Sequence, residues 1–163
     1  TGLKAHILEQ VTPVLDERAN YYTGRLADGQ VKVKFDTITK NKDGSISEKF
    51  CVNVTNSHGS EGYLGNSSGE KKKIDLSIAL AISDLVAARS SKSIDLWVAD
   101  EIAESLDPTA VDRVVDVLKD KAVERGSLLC ISHSDMRDLI PNVLTIHKTA
   151  AGSTIGLGAG GGW

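Results

Sequence analysis

The chain has 163 residues, and its 19 Lys and Arg against 22 Asp and Glu give a formal charge of −3. Hydrophobic residues at 40% and charged residues at 25% are ordinary globular values, which excludes a disordered chain, a collagen-like chain and a disulfide scaffold. The length suits one domain with a real core, and the weak acidity excludes a wholly basic nucleic-acid binder but leaves room for a local basic patch.

From Leu3 to about Tyr22, Leu3, Ile7, Val11, Val14 and Leu15 recur at helical spacing, and Pro13 is expected to kink or interrupt that helix. Gln30–Thr39 alternates Val31, Val33 and Phe35 with Lys32, Lys34 and Asp36, the pattern of a half-buried strand. Asn41-Lys42-Asp43-Gly44 reads as a turn and Ile46–Thr55 as the return strand of a hairpin. Asn56–Gly69, rich in Gly, Ser and Asn, reads as a loop. Ile74, Ile78, Ala81, Ile82 and Leu85 mark a helix that ends near Ser90. Ile94–Ala99 is a short apolar strand. Asp107-Pro108 then supplies an N-cap and a first helical residue, Val111, Val114, Val115 and Leu118 an apolar face, and Gly126 the stop. Ser127–Ser132 is a further strand, and Val143–His147 with Gly152–Leu157 is expected to form a terminal hairpin. The tail Gly158–Trp163 reads as frayed. Helix and strand alternate in the second half, which implies an α/β layer with at least two parallel strands.

Cys51 and Cys130 suit free thiols in a reducing compartment. The longest apolar runs, Leu96–Ala99 and Leu128–Ile131, fall far short of the ~20 residues of a membrane span. The chain begins without Met or signal-peptide anatomy, and is expected to start inside a longer protein.

Four motifs carry chemistry, and each also has a purely structural explanation. Ser67-Ser68-Gly69-Glu70 precedes a long helix. It can be a capping box, an anion site at a helix N-terminus, or both, and Lys71, Lys72 and Lys73 add positive charge there. Leu96-Trp97-Val98-Ala99 ends in Asp100-Glu101, which puts two carboxylates at the C-terminal edge of a strand, where open α/β sheets bind ligands. Glu104-Ser105-Leu106-Asp107 follows, with Asp107 explained locally as an N-cap. Cys130-Ile131-Ser132-His133 delivers a histidine to the end of another strand. With His6, His58, His133 and His147 as the histidines, no zinc-type ligand spacing exists. Asp112, Asp116 and Asp120 are interleaved with Arg113, Lys119 and Lys121 and read as a solvated helix face.

In this order the four motifs form one constellation. It resembles the C-terminal half of an ABC-type ATPase head. More narrowly, it resembles the SbcC-like branch: the coiled-coil ATPase subunit of the double-strand-break repair nuclease complex, including the large subunit of phage recombination endonucleases. Ser67-Ser68-Gly69-Glu70-Lys71 stands at the signature motif, Asp100-Glu101 at Walker B, Ser105-Leu106-Asp107 at the D-loop and His133 at the switch histidine. Three departures stand out. Asn66 and Ser68 replace the usual Leu and Gly of the signature, Ile102 replaces a common Pro, and no G-x-x-x-x-G-K-[ST] loop occurs in the 163 residues. In the family that loop lies in an N-terminal lobe, across a long coiled coil.

The resemblance implies an α/β fold, the C-terminal lobe of a P-loop NTPase head preceded by a helix and a β-hairpin. Residues 1–25 would form the helix at the coiled-coil junction, 26–60 the hairpin region, 61–157 the ATPase lobe and 158–163 a flexible tail. It implies ATP and Mg2+ as cofactors. Asp100 would hold Mg2+ through water, Glu101 would activate the attacking water and His133 would contact the γ-phosphate. Ser67, Ser68, Gly69, Glu70 and Lys71 would meet the nucleotide of a second head, and Asp107 would couple the two sites. Partners implied are the Walker A lobe of the same protein, a second head in a homodimer, an SbcD-like nuclease subunit and double-stranded DNA, with no membrane. Lys32, Lys34, Lys40, Lys42 and Lys71–Lys73 are possible DNA phosphate contacts. The implied location is the cytoplasm of a bacterium or phage-infected host, on the nucleoid. Alternatives are an SMC- or RecN-like chromosome-organising ATPase without a nuclease, a catalytically silent dimerisation lobe, or an unrelated α/β binding module.

Overall fold

The computed structural model describes residues 3–40, 46–58, 62–92, 95–133, 135–140 and 142–159. Helix α1 (Leu3–Leu26) opens the chain and buries Val11, Leu15, Ala19, Tyr22 and Leu26, a stripe at steps of three and four residues. Pro13 does not interrupt it, and α1 runs on unbroken for its full 24 residues. The reason is on its buried face, where tertiary packing outweighs the one hydrogen bond that proline removes.

Strands β1 (Val31–Lys40) and β2 (Ile46–Asn56) form the expected antiparallel hairpin, with Val33 opposite Val54 and Phe35 opposite Val52. The predicted turn at 41–44 lies outside the described residues. Val31, Val33 and Phe35 are buried and Lys32 and Lys34 exposed, so the alternation points the apolar set at α1. The side chain of Asn20 on α1 extends the sheet edge. Its Nδ2 donates to the Val33 carbonyl at 2.7 Å and its Oδ1 accepts the Val33 N–H at 3.1 Å. Asp16 accepts the Phe35 N–H at 2.7 Å in the same way.

A short 3-10 turn, Tyr63–Gly65, interrupts what the sequence reads as loop, and helix α2 (Ser68–Arg89) begins before that loop was expected to end. It buries Ile74, Leu76, Ser77, Leu80 and Ala81 against α1. Strand β3 (Leu96–Asp100), helix α3 (Pro108–Arg125) and strand β4 (Ser127–Ile131) make a β-α-β unit, and β3 pairs with β4 in parallel. Asp107 caps α3 by accepting the Ala110 N–H at 3.0 Å, and Gly126, at φ +93°, ends it. Strands β5 (Asn142–Thr149) and β6 (Gly152–Ala159) form the terminal hairpin. Gly158 and Ala159, expected to be frayed, pair with Val143 and Asn142, because β5 is long enough to hold them; residues 160–163 lie outside the described residues.

The two faces of the β3–β4 pair differ. Trp97, Ala99, Leu128 and Cys130 pack towards the helices. Leu96, Val98, Leu129 and Ile131 point the other way and remain 45 to 52% exposed. On the β5–β6 hairpin, Leu144, Ile146 and Ile155 are exposed as well. Contiguous apolar area of this kind on a sheet marks a surface built to be covered.

Inside, α1, α2 and α3 share a polar knot. Lys121 on α3 is buried and donates to Asp84 on α2 at 2.7 Å and to Glu124 at 2.6 Å. The Tyr22 hydroxyl of α1 donates to the other Asp84 oxygen at 2.6 Å. Burial, seconded by Asp84, pushes the Tyr22 phenol up to about 12. Burial works against the Lys121 charge, yet its bonds to Asp84 and Glu124 prevail and raise its pKa.

Candidate active site

Ser67 is the N-cap of α2, and both halves of the capping box are formed. The Ser67 hydroxyl accepts the Glu70 N–H at 3.3 Å, and Glu70 accepts the Ser67 N–H at 2.8 Å. The Ser67 N–H, its hydroxyl and the Asn56 amide hold the Glu70 carboxyl below its ordinary pKa. Asn56, from the end of β2, donates to both Asn66 and Glu70 at 2.9 and 2.8 Å. Asn66 is buried, and its amide donates to the Gly62 and Tyr63 carbonyls at 2.9 and 3.2 Å. This gives the asparagine a local reason: a polar side chain closes the turn that launches the helix. Ser68 is exposed beside it, and the Lys71 ammonium lies 5.9 Å from the Tyr63 ring centroid.

Asp100 ends β3 on the open face shared with Leu96 and Val98, and is exposed. Glu101 follows in left-handed backbone, φ +49°. Its N–H donates to Ile131 of β4 at 3.0 Å, and its carboxylate lies 3.2 Å from Nε2 of His133. The His133 side chain is 95% exposed and Glu101 30% exposed, so this pair sits at the lip of the sheet. Cys130 lies half-buried just behind; burial, then the charge of Glu101, push its thiol up.

Asp107 has one oxygen in the α3 cap and the other 3.6 Å from the Lys73 ammonium; the Ala110 N–H, then Lys73, lower its pKa. Lys72 donates to the Glu101 carbonyl at 2.9 Å. A Cβ on Gly69 would stand 3.3 Å from the Ser105 carbonyl oxygen, so α2 and the loop after β3 touch backbone to backbone there. The fold thus gathers Gly69, Lys72, Lys73, Glu101, Ser105, Asp107 and His133 at one edge. Asn56 was not picked out from sequence, and Lys72 was read only as added charge with Lys71 and Lys73, because a lone polar residue at a strand end and one lysine in a run of three carry no signal of the partner each one meets.

Magnesium and a nucleotide fit the donors present. Mg2+ keeps several waters and takes one or two carboxylates plus phosphate oxygens, and the exposed Asp100 carboxylate fits that requirement. The start of α2 offers hydroxyls, free N–H groups and a helix dipole to an anion.

The fold is α/β and is that of solved SMC head domains. A chain from a study of ATP-driven dimerisation and DNA-stimulated activation of SMC ATPases superposes with a TM-score of 0.74 at 15% identity, covering 95% of this chain and 89% of that one. The SMC head with extended coiled coil from Pyrococcus furiosus, bound to the C-terminal domain of ScpA, gives 0.70 at 16% identity, over 96% of this chain and 37% of that one. In sequence, the chain is similar to the probable exonuclease subunit 2 of Escherichia phage T5, with 25% identity over 151 residues. That match covers 93% of this chain and 23% of the relative, so the chain spans about a quarter of that protein's length. No protein-family model matches the chain. Among the described residues, no helix is long and apolar enough to cross a membrane.

Proposed function

We propose that this chain is the ATP-hydrolysing C-terminal lobe of a coiled-coil DNA repair or recombination ATPase, which dimerises around ATP and controls a partner nuclease on DNA. The observation that carries the reading is the edge where Glu101 and His133 meet at the end of a sheet whose other face is uncovered. Asp100 stands on that same open face, so whatever covers Leu96, Val98, Leu129 and Ile131 also faces Asp100. A phosphate-binding lobe laid there brings its nucleotide to the carboxylates. Glu101 then orients or deprotonates the attacking water, and Asp100 would hold Mg2+ when it is bound. His133 hydrogen-bonds the γ-phosphate. Bound Mg2+ supplies charge neutralisation of the phosphates. Ser67, Ser68 and Gly69, with Glu70 holding the cap and Lys71 adding charge, receive the γ-phosphate held by a second head, where charge grows during transfer. Asp107 links the two sites.

The nuclease partner is supported by the likeness to the phage exonuclease subunit, and DNA by the exposed Lys32 and Lys34 on β1. The SMC-type reading without a nuclease shares every residue of the site. Co-purification of the full-length protein with its genomic neighbour, scored for ATP-dependent cleavage of duplex DNA, separates the two. Cleavage that needs ATP supports the nuclease reading; ATP turnover with no associated cleavage favours the chromosome-organising one.

A further inference from the structure

We infer that Lys72 is a positioning residue that ties the nucleotide-receiving start of α2 to Glu101, so that one lobe senses both of its nucleotide edges together. The inference rests on the two-head reading above. The bond itself is direct: the Lys72 ammonium donates to the Glu101 backbone carbonyl at 2.9 Å, in a partly buried position.

Glu101 needs the support. It holds φ +49°, a conformation that a residue with a Cβ keeps only when its surroundings hold it there. Its N–H is held by Ile131 at 3.0 Å, and its carbonyl accepts the Glu104 N–H at a long 3.3 Å. Both are backbone bonds within the β3–β4 edge and its turn. Lys72 adds the side-chain bond from another element, and it is charge-assisted. Ser105, at φ +64°, is a second left-handed residue of the same loop, and the close approach of Gly69 to its carbonyl presses α2 against it. Lys73 reaches Asp107 at 3.6 Å. Residues 69, 72 and 73 of one helix start therefore contact residues 105, 101 and 107 of one loop.

In the proposed assembly these two edges serve different nucleotides. Ser67, Ser68 and Gly69 meet the nucleotide of the facing head, and Glu101 acts on that of its own. A shift of the α2 start on engaging a γ-phosphate moves Lys72 and, with it, the peptide that orients Glu101. Lys72 touches no reacting atom, so its loss is expected in turnover and cooperativity rather than in nucleotide affinity.

The test is steady-state ATP hydrolysis by the full-length protein carrying Lys72→Met, Lys72→Arg or, as a control just beyond the C-terminal end of α2, Lys92→Met. Lys72→Met is expected to lower kcat about tenfold to a hundredfold with KM for ATP unchanged, and to bring the Hill coefficient to about 1. Lys72→Arg, which keeps the charge and the donors, is expected to recover most of kcat, and Lys92→Met to match the wild type. A Lys72→Met protein with wild-type kcat and cooperativity overturns the inference. So does a loss that Lys72→Arg does not rescue while both variants melt like the wild type. A wild-type protein that hydrolyses no ATP instead removes the two-head reading on which the inference stands, whatever Lys72 does.

Discussion

The carboxylate of Glu101 lies 3.2 Å from Nε2 of His133, although the two residues follow different strands. The parallel pairing of β3 with β4 brings them there. Asp100 sits opposite Ile131, so both strands finish at the same edge, with Glu101 directly after β3 and His133 two residues after β4. The positive φ of Glu101 turns its carboxylate towards the histidine rather than along the strand.

Glu101→Gln in the full-length protein is expected to cut ATP turnover by about 10²- to 10⁴-fold, the range of a lost general base. ATP-dependent dimers should persist, since the amide keeps the size and polarity of the site. Phosphate release and size-exclusion chromatography with and without ATP measure the two halves. Wild-type turnover in this variant would remove the role given to Glu101.

Ser68 is exposed at the first turn of α2, beside the cap. Ser68→Arg places a long cation where the facing head's nucleotide is expected. ATP-driven dimerisation should be lost while the fold, monitored by circular dichroism, is kept. Unaltered dimers would count against the assignment of Ser67-Ser68-Gly69 as the receiving edge.

The 163-residue chain by itself contains no phosphate-cradling loop. It is expected to bind ATP weakly and to hydrolyse none. Robust hydrolysis by this chain alone would refute its reading as one lobe of a split head.

The polar knot predicts an asymmetric mutational response. Lys121→Met leaves Asp84 buried without its cation and is expected to cost about 3–5 kcal/mol in urea unfolding. The double change Asp84→Leu with Lys121→Met should recover much of that loss, because no charge is then left buried. Equal destabilisation by the single and double variants would show that the knot acts through packing alone.

The pH profile should fall on both sides. Glu70 and Asp107 have folded pKa values below their ordinary 4.5 and 3.8, so their contribution is present above that range and is lost as pH falls through it. Ser67→Ala, which removes the hydroxyl contacting Glu70, should shallow the acid limb. Tyr22 has the opposite sign. Its folded value of about 12 lies above its ordinary 10, so its contribution is full below pH 10 and is lost between pH 10 and about 12. Tyr22→Phe should remove its part of the alkaline fall in a denaturation series.

Much of this molecule was legible in its residues. The Val31, Val33, Phe35 alternation, the Asp107-Pro108 helix start and the Ser67–Glu70 capping box are local patterns with local causes, and the structure holds all three. Pro13 did not end the helix, because a proline's cost is local while the packing of Val11 and Leu15 around it is not. Asn56, and the bond from Lys72 to Glu101, were invisible because the partners lie 14 and 29 residues away, and sequence spacing beyond a helical turn has no period to read.

By itself the sequence determined the order of elements, the caps and the identity of the groups able to do chemistry, since these depend on neighbours within a few residues. Tertiary structure decided which of those groups meet. The parallel register put Glu101 beside His133, the approach of Gly69 to Ser105 bound α2 to the loop after β3, and the face left bare at Leu96, Val98, Leu129 and Ile131 appeared only when the helices had covered the other. Contacts between distant segments form through packing of whole elements, and no local pattern encodes which face remains open.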